Sequence, residues 1–212
     1  MGHYDRPMTW DDLPPPVSDT TFVTHEPEPE ARDATIELVG TNLRMSCVIS
    51  LGRFPRLTDL ISSSSGYIRV RDARLLGRDG SMTGDVIPKL MVNQDDISFF
   101  AEPDAPLHEP GTGEGFDELG VGVSLADRRT RRFAIYTDGH ALEGSVYLFG
   151  ETDLAAFVES THPHFVPLID VTTRSLADQG NVVHYPFVLV NRTRMIAAAD
   201  LDDGSPSGGS VW

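Results

Sequence analysis

The chain of 212 residues contains one cysteine, one lysine and two tryptophans, and neither tryptophan lies within its two most strand-like stretches. The lone Cys47 excludes an intrachain disulfide and a thiolate cluster for zinc. No run approaches the roughly 18 uninterrupted apolar residues of a membrane-spanning helix. The opening "MGHYDRPMTWDDLPPP" lacks the apolar core of an export signal. By these absences a cytoplasmic protein is expected. Aromatic residues make up only 8% of the chain, so its cores must be largely aliphatic. Lysine occurs only as Lys89, leaving the remaining bases as arginine, which suits bidentate pairing with carboxylate or phosphate.

Acid is plentiful, with a net charge of −15, and it is unevenly placed. Residues 1–32, 102–127 and 200–212 carry the whole excess, whereas 33–101 and 128–199 are each balanced between acids and bases. This division predicts an acidic, Pro-rich and disordered N-terminal extension over 1–32, an acidic Gly/Pro linker over 102–127 and a flexible tail over 200–212. The two neutral stretches are the folded modules.

Those modules are related. "VNQDDI" (92–97) returns as "VNRTRM" (190–195) after 98 positions, and "YIRVRDA" (67–73) falls on "FVPLIDV" (165–171) at the same offset. "MSCVISLG" (45–52) falls on "EGSVYLFG" (143–150), again at 98, with Gly52 on Gly150. Several ordered blocks at one offset indicate an internal duplication. Alternating apolar residues give each copy five short strands. "RLTDLI" and "DLAAFVES" are the only segments with helical spacing, and each lies between the second and third strands. Asp138-Gly139 carries the signal of a type I′ hairpin turn. Asn93 and Asn191 fit a turn between the last two strands, because asparagine tolerates turn backbone.

Five short strands in about 65 residues predict closure into a small barrel, which removes exposed edges. The expected fold class is therefore all-β, with two tandem five-stranded small barrels spanning 33–101 and 128–199. In strand order, and in the final pair "LMVNQDDISFF" and "FVLVNRTRMIAA", each copy resembles the Sm-like and SH3-like small barrels. The resemblance implies topology and no residue roles. Where an Sm-like protein places a short RNA-contacting loop this chain has "FPRLTDLISSSS" and "TDLAAFVESTHP", and the usual glycine of the final turn is missing.

Candidate chemistry is sparse. His162 and His164 flank Pro163, with His184 and Asp170 elsewhere in the second copy, but they read as a solvated loop rather than a metal site. Ser62 to Ser65 have no nucleophile elbow around them and read as a connector. "GTGEG" (111–115) lacks the strand, helix and lysine of a phosphate loop. Asp72 and Asp170 occupy matching places and are expected to cap turns.

The arginines carry more weight. Arg69 and Arg71 share one strand face by period two, and Arg192 and Arg194 sit in the second copy's final turn where the first copy has Asp95 and Asp96. Opposite charges in one frame suggest that the two copies face different partners. Trp10 and Trp212, in the tails, are aromatic anchors of the kind that dominate interfaces.

The expected function is a non-catalytic protein-interaction or scaffolding protein, an accessory subunit of a larger complex, with no cofactor and no metal. Its predicted contact residues are Trp10, Arg69, Arg71, Arg192, Arg194 and Trp212. A nucleic-acid binder built on the same arginines is the alternative, although the acidic segments would compete with phosphate. A metal-dependent enzyme centred on His162, His164 and His184 is the third and weakest reading.

Overall fold

A computed structural model describes residues 32–64, 66–77, 79–105, 128–149, 154–159, 164–178 and 180–202. Residues 1–31 of the expected N-terminal extension, residues 106–127 of the linker, the "GTGEG" segment, His162, Trp10 and Trp212 lie outside the described residues, while Arg32, expected in that extension, opens the first strand.

The alternation seen in the sequence becomes strands throughout. The first half contributes β1 (Arg32–Gly40), β2 (Arg44–Gly52), β3 (Tyr67–Leu76), β4 (Met82–Asn93) and β5 (Ile97–Glu102), with helix α1 (Leu57–Ser63) between β2 and β3. The second contributes β6 (Arg128–Thr137), β7 (His140–Phe149), β8 (Phe165–Ser175), β9 (Val182–Asn191) and β10 (Met195–Asp200), with α2 (Leu154–Glu159) between β7 and β8. The all-β class is as expected.

Closure is not. In place of two separate closed sheets, one antiparallel ten-stranded sheet runs β10-β6-β7-β8-β9-β5-β1-β2-β3-β4. Within each half the order is last strand, first, second, third, fourth. The open side of β5 is taken by β9 of the other half, through Phe99↔Val190, Phe100↔Leu189, Ala101↔Val188 and Glu102↔Phe187. Pairing between halves thus covers edges that self-closure was expected to remove. Among the described residues, strands β4 and β10 each pair on one side only.

Apolar packing follows the junction. One core contains Ile36, Leu38, Ile49 and Phe100 of the first half together with Phe165 and Leu189 of the second. The other contains Phe133, Ile135, Leu168 and Val190 of the second half together with Val39, Phe99 and Ala101 of the first. Phe100 meets Phe165 edge to face at 5.3 Å across this seam. Each half therefore lends side chains to the other's core.

Strand registers refine the correspondence between halves. The offset of 98 holds for β3–β5 against β8–β10, but Met45 pairs with Leu38 where Leu142 pairs with Ile135, an offset of 97. Met45, Cys47, Ile49 and Leu51 therefore match Leu142, Gly144, Val146 and Leu148, all buried. The uniform offset would have set Met45 on Glu143 and turned the strand inside out, because one residue of slip exchanges its faces.

The extra residue of the second half falls between β7 and β8, since Leu51 and Ile68 are 17 positions apart and Leu148 and Val166 are 18, and the same bulge recurs in both halves. Asp72 and Asp170 have φ of 52° and 51°, the left-handed conformation that aspartate tolerates better than most residues. They sit inside β3 and β8, not at strand ends capping a turn as expected, and each lies where the neighbouring β2 or β7 register shifts. Gly144 faces the second bulge, where a Cβ would come within 3.0 Å of Val171 Cγ2 and 3.2 Å of the Ile169 carbonyl. Asp138-Gly139 does join β6 and β7, but neither residue has the positive φ that a type I′ turn requires.

The duplicated phrase that begins "VN" is a strand end followed by a 3₁₀ turn over Gln94–Asp96 and Arg192–Arg194. Asn93 and Asn191 have extended φ of −75° and −71°, so backbone tolerance is not why asparagine is there. Their side chains do the work. Asn93 Oδ1 accepts from Asp95 N at 3.3 Å, and Asn191 Oδ1 accepts from Thr193 N at 3.0 Å. The amide groups then part company. Asn191 Nδ2, buried, crosses to the carbonyls of Gln94 (3.2 Å) and Ile97 (3.0 Å), while Asn93 Nδ2 stays on its own turn at Asp96 Oδ2 (2.9 Å).

Asn191→Ala removes two buried hydrogen bonds, the Gln94 carbonyl keeping the Ile97 N–H, and should cost about 1–3 kcal/mol in urea unfolding, whereas Asn93→Ala should cost clearly less. Equal losses for the two variants would contradict the junction role of Asn191.

Candidate functional site

Two regions gather polar side chains: the seam between the halves, and the open face beside β4. The seam is held by groups that no single copy contains. Tyr185 Oη donates to Glu37 Oε2 at 2.7 Å, and Arg44 donates to the same carboxylate oxygen at 2.9 Å and to the tyrosine oxygen at 2.9 Å. Glu37 and Arg44 are largely buried, with side-chain exposures of 15% and 18%. Burial, with the Glu37 hydrogen bond next, raises the Tyr185 pKa well above its ordinary value. Asp138, in the β6–β7 turn, accepts from Thr41 Oγ1 and from Ser98 Oγ (3.2 Å) of the first half. The Thr41 hydrogen bond in particular holds its pKa below the usual carboxylate value.

Arg194 also belongs to this seam. It donates to the Asp95 carbonyl at 2.6 Å and to Asp96 Oδ1 at 2.7 Å. The opposite charges in the two final turns thus meet each other within the chain. Arg192 lies over the Phe157 ring at 4.8 Å and donates to the Phe157 carbonyl. Both arginines predicted for partner contact in the second half have intrachain partners.

His140 is a seam member with an unsatisfied buried nitrogen. It stands edge-on to Phe99 at 5.4 Å, with a buried Nδ1 that has no hydrogen-bond partner. Burial, then the nearby Arg44 charge, depress its pKa against an opposing pull from Asp138. A folded-state pKa below the unfolded value means stability that is full above about pH 6.5 and is lost as pH falls through the depressed value. Unfolding free energy should therefore fall on acidification below about pH 6.5, with this residue contributing no more than about 1.4 kcal/mol per pH unit. An NMR titration checks the cause: the His140 midpoint should lie below that of an unfolded-peptide histidine, and a midpoint at or above it would contradict the assignment.

The second region is an open cleft of about 550 Å³ lined by Val48, Ser50, Arg69, Arg71, Lys89 and Met91, with Val70 and Leu90 at its floor. The strand pleat builds it. Tyr67, Arg69 and Arg71 point to the face of β3 away from the core that holds Ile68 and Val70. Met91 and Lys89 stand directly opposite Arg69 and Arg71 on β4. Arg71 is already paired with Asp33 and lies 3.3 Å from Asp72. Beside the cleft Tyr67 is 62% exposed and Met91 54%, and Met82, Val86 and Ile87 are exposed further along the β4 edge. This combines an unpaired strand edge, apolar side chains and three cations.

The structure brings Arg69 and Arg71 together and places Arg192 and Arg194 elsewhere. Lys89, Met91 and the open β4 edge were missed by sequence reasoning, since strand pairing alone reveals which strand ends the sheet. His184 Nδ1 lies 3.0 Å from Thr172 Oγ1, and among the described residues no three His, Cys, Asp or Glu side chains gather into a metal-binding group. Ser63 and Ser64 donate to the Leu60 carbonyl at the end of α1. Cys47 is buried, and burial pushes its thiol pKa up to about 12, so it is no nucleophile at neutral pH. Among the described residues no helix is long and apolar enough to cross a membrane.

Comparison with family models, with curated proteins and with solved structures finds no match to this chain.

Proposed function

We propose that this chain is a non-catalytic protein-interaction or scaffolding protein, an accessory subunit of a larger complex, built from two fused modules that resemble Sm-like and SH3-like small barrels. The module reading is supported by the strand order and bulge positions recurring in both halves. The observation that carries the interaction reading is the unpaired β4 edge beside the Arg69–Arg71–Lys89 cleft. An open edge offers backbone donors and acceptors, and a strand added there presents alternate side chains to one face. The chemistry of this face fits an extended protein segment with apolar residues and a carboxylate, the latter near Lys89.

Tyr67, Arg69 and Arg71 on one strand face also favour a second reading, in which single-stranded nucleic acid stacks on Tyr67 and neutralises its phosphates on the cations.

A photoreactive side chain placed at Met91 in the full chain separates the two. Under the first reading, illumination in extract yields protein adducts at that site that a control at an exposed position of the second half does not give. Adducts to nucleic acid alone would overturn it. Titration with labelled RNA tests the second reading: binding should weaken steeply with salt and drop at least about tenfold in Arg69→Ala. Binding indifferent to salt and to this substitution removes it.

A further inference from the structure

The chain carries its own template for what its free edges accept. At the seam, the last strand of one half (β5) pairs with the fourth strand of the other (β9). The two strands with a free side among the described residues are the remaining members of the same two kinds, β4 at one end of the sheet and β10 at the other. We infer that β10 of one copy pairs with β4 of a second copy in the register of the β5–β9 seam, giving a head-to-tail homo-oligomer. The inference rests on the reading of β4 and its cleft as a protein-docking surface, and it names the occupant.

Shifting the seam by 98 positions at each strand gives the expected pairs: Ala197 opposite Val92, Ala198 opposite Met91, Ala199 opposite Leu90 and Asp200 opposite Lys89. Burial marks the same positions. Leu189 is 0% exposed at the seam, whereas its counterpart Met91 is half exposed at the free edge. Ala101, buried, corresponds to Ala199, exposed. Ile196, on β10, is 70% exposed.

Sizes and charges also complement. The seam sets Phe100 against Phe165 and Leu189. The free edges set the small Ala198 against the corresponding large Tyr67 and Met91, a lighter contact than the one Phe100 makes at the seam. Asp200, already joined to Arg131 at 2.8 Å, would bring that ion pair to Lys89. Asp96 of the second copy would meet Arg194 of the first, repeating the contact those residues make inside the chain. Asn93 Nδ2, now on its own Asp96, would reach across as Asn191 does.

Because the two edges differ, the interface is heterologous: it closes as a ring or continues as an open array. This predicts a signature that no symmetric dimer shares. Wild-type full chain should sediment as a multiple of its mass between about 1 and 100 µM. Ile87→Lys/Met91→Lys blocks the β4 edge, and Ala197→Lys/Ala199→Lys blocks the β10 edge, all four at exposed positions. Each variant alone should be monomeric, and an equimolar mixture should give a dimer and nothing larger.

As a readout free of substitutions, β4 amides of wild type should be protected from hydrogen exchange at high concentration and lose protection on dilution. A monomeric wild type, unprotected β4 amides at high concentration, a blocked variant that still forms large assemblies, or a mixture that stays monomeric would each overturn the inference. If wild type is monomeric while Met91 photo-adducts form with a different protein, this inference falls and the docking reading stands. If no protein adduct forms either, both fall.

Discussion

The β5–β9 pairing is the constraint on which the rest of the sheet depends. It joins the halves through four backbone pairs, places Phe165 and Leu189 in the first core and Phe99 and Ala101 in the second, and brings Glu37 and Arg44 to Tyr185. Taken alone, either half would expose the apolar strand that the other now covers, together with an unpaired edge. The polar groups at this seam are well supplied with partners, as buried polar groups must be. His140 Nδ1 is an exception, and burial there is what sets its acid sensitivity.

Much of the secondary structure was legible in the sequence. Period-two alternation located the strands, two short helical patterns gave α1 and α2, and the recurrence of "VN" located equivalent turns. The match of β2 to β7 was not legible, because one extra residue between β7 and β8 lets β1 and β2 run at one offset and β3 to β5 at another. The slip was hidden because the offset of 98 sets Val48 on Val146 and Gly52 on Gly150 by chance, whereas the offset of 97 keeps Leu51 on Leu148 alone. Closure was misjudged for a related reason. The sequence reports that edges must be managed, but it does not say which strand manages them.

The candidate site was half visible. Period two placed Arg69 and Arg71 on one face, and the structure adds Lys89 and Met91 from β4 because those residues lie opposite them in register. Arg192 and Arg194 looked like partner contacts on charge alone. Their role became apparent only when the turn of one half was set against the turn of the other, where Arg194 finds Asp96. A charge difference between two similar turns signals complementarity as readily as divergence. Trp10 and Trp212 lie outside the described residues, so the seam and the cleft are argued without them.

The face that β3 and β4 leave open is covered in the second half, and the residues differ accordingly. Tyr67, Arg69, Arg71, Lys89 and Met91 correspond to Phe165, Pro167, Ile169, Phe187 and Leu189. The second set suits permanent enclosure. The first keeps cations that a tight, dry contact would penalise heavily unless each were matched. The two halves are therefore not interchangeable. In the seam Phe165 and Phe187 are enclosed within one chain, while a β10–β4 contact between copies would keep Arg71 on Asp33 and set Lys89 against Asp200. Two halves of like strand order thus give the sheet a direction.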